Sequence, residues 1–397
     1  MTSNVRFTAT AVALCGLTTI PAIPALAAES NVVLYGAVDA ALAYTSNQQG
    51  HANRYMRSGN KDGSRFGLRG SEDLGGGTEL LFTLEAGFNL DDGSSLQAGS
   101  LFNRQAYVGL SDRKLGTLTA GRQYAPYFTF MSPLGPLGAV TGAAGAAAGD
   151  IDGLSIIIRN SNAVSYVSPD WAGVRLGLMV ASGEQAGSGG FAGSGGALSA
   201  ALKYDGAAWR FGLGYQLLRN GAQRTAWDPA ASSNFARSPV NAGYLSAGDV
   251  RYLAAGARRQ IGAVSVGGTL TNVEYRPDAS SRFRDNAVFN TAGLVATWQT
   301  ATPWVLGAAA NYTRATAANG IASAANYRQL ALQQAYWLSP RTAIYVLESF
   351  QRARGATLGA DGVTIVDAVA VVGDSQAGSP SSNGRQNVIM IGLRHAF

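Results

Sequence analysis

The chain has 397 residues, of which 47% are hydrophobic and only 14% charged, with a formal net charge of +6. Soluble domains carry roughly 25% charged residues, yet beyond the N-terminus no apolar run reaches the roughly 18–20 residues that a spanning helix needs. The basic excess is scattered and lacks the basic run of a nucleic-acid binder, so the apolar residues are expected in alternating strands.

Residues 1–28 read as a secretory signal. Arg6 supplies the charge, residues 9–20 a short apolar core, and Ala25-Leu-Ala27 a small-residue cleavage pattern. Cys15, the single cysteine, lies inside this segment, and Leu14 before it argues against lipid attachment. The mature chain is then expected from residue 29, without a cysteine.

From residue 34 to 44 the residues alternate. Leu34, Gly36, Val38, Ala40, Leu42 and Tyr44 share one face, and Tyr35, Ala37, Asp39 and Ala41 the other. Over residues 65–69, Phe66 and Leu68 stand opposite Arg65 and Arg69. A Gly-rich turn at 73–78 leads into a strand at 79–90, and segments 102–112 and 116–122 form a second hairpin. Further strands are predicted at 162–168, 173–182, 198–204, 209–218, 250–260, 264–275, 287–299, 304–314, 327–338, 342–352 and 387–397, making 16 in all.

Short turns at 206–207, 261–262 and 339–341 alternate with long polar loops at 220–248 and 355–384. That asymmetry, with 16 Tyr and 14 Phe to supply interface girdles, is the pattern of a barrel crossing an outer membrane. An unpaired backbone group in hydrocarbon costs several kcal/mol, so such a sheet must close on itself. Sixteen strands leave an aqueous lumen, whereas about eight would let side chains fill it. In the last segment Phe397, His395, Leu393, Ile391 and Ile389 share a mostly apolar face, suggesting a strand that closes the structure.

Signs of covalent chemistry are sparse. His51, in a polar loop, and His395 are the two histidines, and neither has metal-ligand spacing. No nucleophile elbow or phosphate loop occurs, so neither a catalytic residue nor a cofactor is expected.

Several short segments, in this order, carry a family resemblance: Leu34-Tyr-Gly-Ala-Val-Asp39, residues 64–75, Asn103-Arg-Gln-Ala-Tyr-Val-Gly-Leu110, Gly116-Thr-Leu-Thr-Ala-Gly-Arg-Gln123, Arg159-Asn-Ser-Asn-Ala-Val-Ser-Tyr166 and Gly392-Leu-Arg-His-Ala-Phe397. Over essentially the whole mature chain the sequence resembles the trimeric general-diffusion porins of Gram-negative bacteria, most closely the β-proteobacterial type. The resemblance implies an all-β fold over residues 29–397, a transmembrane antiparallel β-barrel of 16 strands. It also implies a homotrimer among outer-membrane lipids and passive diffusion of small hydrophilic solutes and ions. Phe397 would be read by the barrel-assembly machinery. A third extracellular loop, about residues 124–158, would fold into the lumen as a constriction.

In such porins wall arginines face acidic groups on that loop. Arg65, Arg104 and Arg159 match the wall positions, and Arg122 is a further candidate. The loop has no Asp or Glu from 124 to 149, leaving Asp150 and Asp152 to oppose them. The expected preference is therefore neutral to anionic. A solute-specific channel of the same fold is the nearest alternative. A barrel serving as a platform for an adhesin or enzyme is another, given the large loops. Gly36 and Ala40, small and outward, would suit close contact between neighbouring barrels.

Overall fold

The computed structural model describes residues 31–136, 141–155, 158–183, 189–191, 193–221, 238–373 and 380–397; the signal segment expected at 1–28 lies outside these. Strand β1 (Asn31–Gln48) follows the alternation from residue 34 and extends it at both ends. Its first half pairs with β3 (Arg65–Gly75) and its second with β2 (His51–Ser58). β2 was not anticipated. Together β2 and β3 form one wall strand, interrupted at residues 59–64, where Asp39 of β1 accepts hydrogen bonds from the Lys61 and Asp62 amides at 2.6 and 2.8 Å.

The wall continues through β4 (Thr78–Gly87), β5 (Gln105–Asp112), β6 (Gly116–Gln123), β7 (Asn160–Val167), β8 (Val174–Ala181), β9 (Ala197–Asp205) and β10 (Trp209–Arg219). It proceeds through β11 (Asp249–Ile261), β12 (Val264–Arg276), β13 (Ala287–Gln299), β14 (Trp304–Ala315), β15 (Asn326–Ser339) and β16 (Thr342–Arg354). A small hairpin, β17 (Ala356–Leu358) with β18 (Ile365–Asp367), decorates the last loop. β19 (Arg385–Ala396) pairs antiparallel with both β16 and β1. With β2 and β3 counted as one, this is a closed 16-strand antiparallel barrel. Closure satisfies every rung of the ladder, as hydrocarbon demands.

Parity sorts the side chains. Leu42, Leu270 and Leu294 on the outside are 68%, 65% and 67% exposed, which is tolerable only against lipid or another protein. Outward aromatics gather at the short-turn rim: Trp209 stacks on Phe211 at 5.4 Å, and Trp304 meets Tyr336 at 5.0 Å.

Phe397 ends at the same rim. Its amide and carbonyl exchange hydrogen bonds with Gly36 of β1 at 3.1 and 3.0 Å. A Cβ built on Gly36 would lie 2.5 Å from the Phe397 ring and 2.5 Å from the Arg65 carbonyl. The terminal ring covers Gly36 across the seam, which leaves no room for a side chain there.

The segment between β6 and β7 runs inside the lumen. It starts with helix α1 (Pro126–Met131), whose first residue needs no amide partner. Glycines on the inner wall make its seat. A Cβ on Gly212 would meet Leu134 and Met131 at 2.8 Å, and one on Gly214 would meet Met131 and Tyr127 at 2.9 Å. Gly177 of β8 similarly faces Pro126 at 2.7 Å.

Farther on, the Gly145 carbonyl accepts from Asn311 of β14 at 2.8 Å, and that of Ala144 from Gln329 of β15 at 3.1 Å. The Ala143 amide donates to the Asn60 carbonyl at 2.8 Å. The loop therefore follows the inner wall from β8 to β16 and reaches the interruption between β2 and β3.

Candidate functional site

Four arginines gather along the wall from β3 to β7, a stretch that the loop contacts described above do not reach. Arg65 opens β3 and points inward, as the alternation with Phe66 and Leu68 predicts. Arg104 sits just before β5, Arg122 on β6 and Arg159 just before β7, so β3, β5, β6 and β7 bring the arginines together, with β4 between the first two. All four sequence-predicted arginines gather here.

Glu85 of β4 holds the centre. Its carboxylate accepts from Arg104 Nε at 2.6 Å and from the Tyr35 hydroxyl at 3.0 Å, and lies 3.5 Å from Arg65 Nε. Arg122 donates to the Asn103 carbonyl at 2.9 Å and to the Ser161 hydroxyl at 2.8 Å. Arg159 donates to the Tyr124 hydroxyl at 3.1 and 2.9 Å, with its guanidinium 5.1 Å from that ring's centre. Asp62, at the wall interruption, pairs with Arg394 at 2.5 Å and lies 3.9 Å from Arg65.

Arg104 and Arg159 are only 6% and 4% exposed, which leaves little of either side chain open to direct contact from the lumen. Arg65 is nearer to water, its side chain 24% exposed.

Asp150 and Asp152 are elsewhere. The returning arm of the loop buries both: each acts on Tyr127 of α1, and Asp150 also on Tyr252 of β11 and Tyr275 of β12. Asp150 accepts from the Ser155 amide at 2.7 Å, and the Asp152 carbonyl accepts from the Tyr127 hydroxyl at 2.7 Å. Burial pushes the Asp152 carboxyl up to about 6, against the pull of the Leu154 amide and Asp150. The expected opposition between these aspartates and the arginines is thus not the arrangement found. A loop pressed onto the wall turns its short acids toward the wall.

The acid that does meet the arginines, Glu85, was missed by sequence reasoning. Its signal was present: Glu79, Leu81, Thr83 and Glu85 share the face opposite Leu80, Phe82 and Leu84, and Glu85 pairs across from Gly67. Arg258 of β11 was also missed. It donates to the Pro133 carbonyl at 3.1 Å, tying the loop to the far wall. Among the described residues no group of His, Cys, Asp and Glu could hold a metal ion.

Comparison with known proteins agrees with this architecture. A family model for Gram-negative porins matches residues 8–355. Outer membrane porin protein 32 of Delftia acidovorans is 28% identical over 392 residues, covering 97% of this chain and 99% of that protein. An outer membrane porin protein of Bordetella pertussis is 34% identical over 170 residues, 38% of this chain and 42% of that one. Among solved structures, an anion-selective porin from Comamonas acidovorans superimposes with a TM-score of 0.70 at 24% identity, covering 93% of this chain and all of that one. OmpT of Vibrio cholerae gives 0.62 at 14% identity, covering 93% and 98%.

Proposed function

The chain belongs to the Gram-negative porin family, and from that premise we propose that its arginine cluster biases the channel toward anions. The protein is an outer-membrane β-barrel whose water-filled lumen passes small hydrophilic solutes and ions by passive diffusion. One observation carries the proposed bias: of the four guanidiniums, Arg104 and Arg65 lie against the Glu85 carboxylate and Arg65 also stands 3.9 Å from Asp62, Arg122 and Arg159 hydrogen-bond neutral groups, and Asp150 and Asp152 are buried elsewhere. Fixed charge at a narrow section sets ionic preference because it raises the local concentration of counter-ions. The description of the Comamonas acidovorans structure as anion-selective supports the same direction.

The reading extends to assembly. The barrel works as a homotrimer, is exported by the signal expected over residues 1–28, and presents Phe397 to the barrel-assembly machinery. The Phe397 ring stacked on Gly36 makes the last residue part of the closing seam, which suits a residue that reports completion of the barrel.

Reversal potentials in a tenfold potassium chloride gradient test the central point. The expected sign is that of chloride preference, and a clear cation preference would overturn it. Cross-linking in mild detergent tests the trimer, with three linked copies expected.

A further inference from the structure

Near the short-turn end of β15, the periplasmic side of such a barrel, Trp337 points into the lumen, whereas its neighbour Tyr336 meets Trp304 on the outside. Trp337 stands directly opposite Ala343 of β16, Ala343 opposite Arg394 of β19, and Arg394 opposite Asp39 of β1. These four residues make one row on the inner face. Ala343 is small and buried, so Arg394 reaches across it and sets its guanidinium 5.4 Å from the centre of the Trp337 ring. At the other end of the row Asp39 fixes the Lys61 and Asp62 amides. That hangs Lys61 over the same ring, its ammonium 5.9 Å from the centre. Arg394 spends Nε on Asp62 and Nη1 on the Arg341 carbonyl. Among the described residues nothing accepts a hydrogen bond from the Lys61 ammonium, from Arg394 Nη2 or from the Trp337 indole N–H.

We propose that Trp337, Lys61 and Arg394 form a subsite for small aromatic carboxylates, met between the constriction and the periplasm. Such a subsite presupposes the anion-favouring lumen proposed above. A half-buried ammonium without an acceptor is unsatisfied unless water or an anion meets it. A carboxylate there can accept from Lys61, from the indole N–H and from Arg394 Nη2, and bonds between charged partners are the strong ones. The flat body of the solute then lies against the part of the indole that the cations leave open, for Trp337 is partly exposed. Val305 of β14, diagonal to Trp337, continues the apolar surface.

A place in the interface girdle does not account for Trp337, because parity turns it away from lipid and leaves that place to Tyr336 and Trp304. The two halves of the subsite also select together. A carboxylate without a ring gains only the cations, and a neutral ring gains only the indole, so the solute that gains both is the aromatic acid.

The test records chloride current through the full-length barrel in planar bilayers at neutral pH and low salt, with benzoate, acetate or benzyl alcohol added. Benzoate should reduce the current saturably, its half-effect lying at least about tenfold below that of acetate, and benzyl alcohol should have no effect. In Trp337→Leu that gap should shrink to about twofold, whereas Trp337→Phe, which keeps a ring, should hold it within about threefold. Lys61→Gln should raise the half-effect concentration of benzoate by at least about fivefold. Trp298→Leu, at an outward tryptophan on β13, should alter none of these values. Heat-modifiability on gels shows that each barrel has closed. Equal action of benzoate and acetate on the native channel overturns the proposal, as does a gap that persists in Trp337→Leu. Benzyl alcohol acting as strongly as benzoate also overturns it, and points to apolar adsorption. Reversal potentials on the same membranes keep the two readings apart. Chloride preference without benzoate block removes the subsite alone, while cation preference removes the anion bias itself.

Discussion

Removing the acid at the centre of the arginine cluster should strengthen anion preference by a calculable amount. In Glu85→Gln the side-chain volume is kept, the amide oxygen can still accept from Tyr35 and Arg104, and the local charge becomes one unit more positive. A permeating ion passing at about 6 Å in water would feel about 0.7 kcal/mol from that unit. At 0.1 M salt the screening length is about 10 Å, which cuts the effect to about 0.4 kcal/mol. Because it acts oppositely on anion and cation, the permeability ratio should rise about fourfold. At 1 M, where screening acts over about 3 Å, the rise should be only about 1.4-fold. Zero-current potentials in bilayers at both salt levels measure this directly, with heat-modifiability on gels confirming a closed barrel. A change below about 1.5-fold at 0.1 M, or one toward cations, would refute the action of the buried Glu85 charge on passing ions.

Three more outcomes follow from the same geometry. Gly36→Val would drive a side chain into the Phe397 ring and the Arg65 carbonyl. The seam should open, with overpacking of about 1–3 kcal/mol and a lower temperature of barrel unfolding on gels; unchanged thermal behaviour would count against the ring's role. Gly212→Val should unseat α1 by crowding Met131 and Leu134, raising single-channel conductance and the size limit for neutral solutes, whereas unchanged values would mean the loop does not set the aperture. The Asp152 carboxyl, held near 6 by burial, binds its proton more readily when the loop is seated than when it is free. Lowering the pH from 7 through 6 toward 4 should therefore steady the loop, by at most about 3 kcal/mol. Open-channel noise should fall over that range and lose its pH dependence in Asp152→Asn; noise that grows on acidification would contradict the sign.

How much was readable beforehand differs by element. The later strands were legible because each alternates over twelve or more residues and ends at a compact turn. β2 was not, since His51-Ala-Asn-Arg-Tyr-Met-Arg-Ser58 is too polar for its period to stand out. It forms because β1, already fixed on its other side by β19, offers it an unpaired edge. The inward direction of Arg65 was legible from Phe66 and Leu68. The seat of α1 was not, although its glycines were visible, because Gly177, Gly212 and Gly214 gain meaning only when a loop far away in the chain is laid against them.

Local order alone thus determined which residues face water and which face lipid, because a strand's two faces are set by counting in twos. The sixteen-strand count and the inward direction of Arg65 follow from the same rule, whereas Arg104, Arg122 and Arg159 were placed by the family resemblance. Which acid meets those arginines was decided only by the tertiary structure. Glu85 reaches them through pairing of neighbouring strands, while Asp150 and Asp152 are carried across the lumen by a loop. A loop's course depends on where it finds room, and that room is made by inner-wall residues remote in sequence.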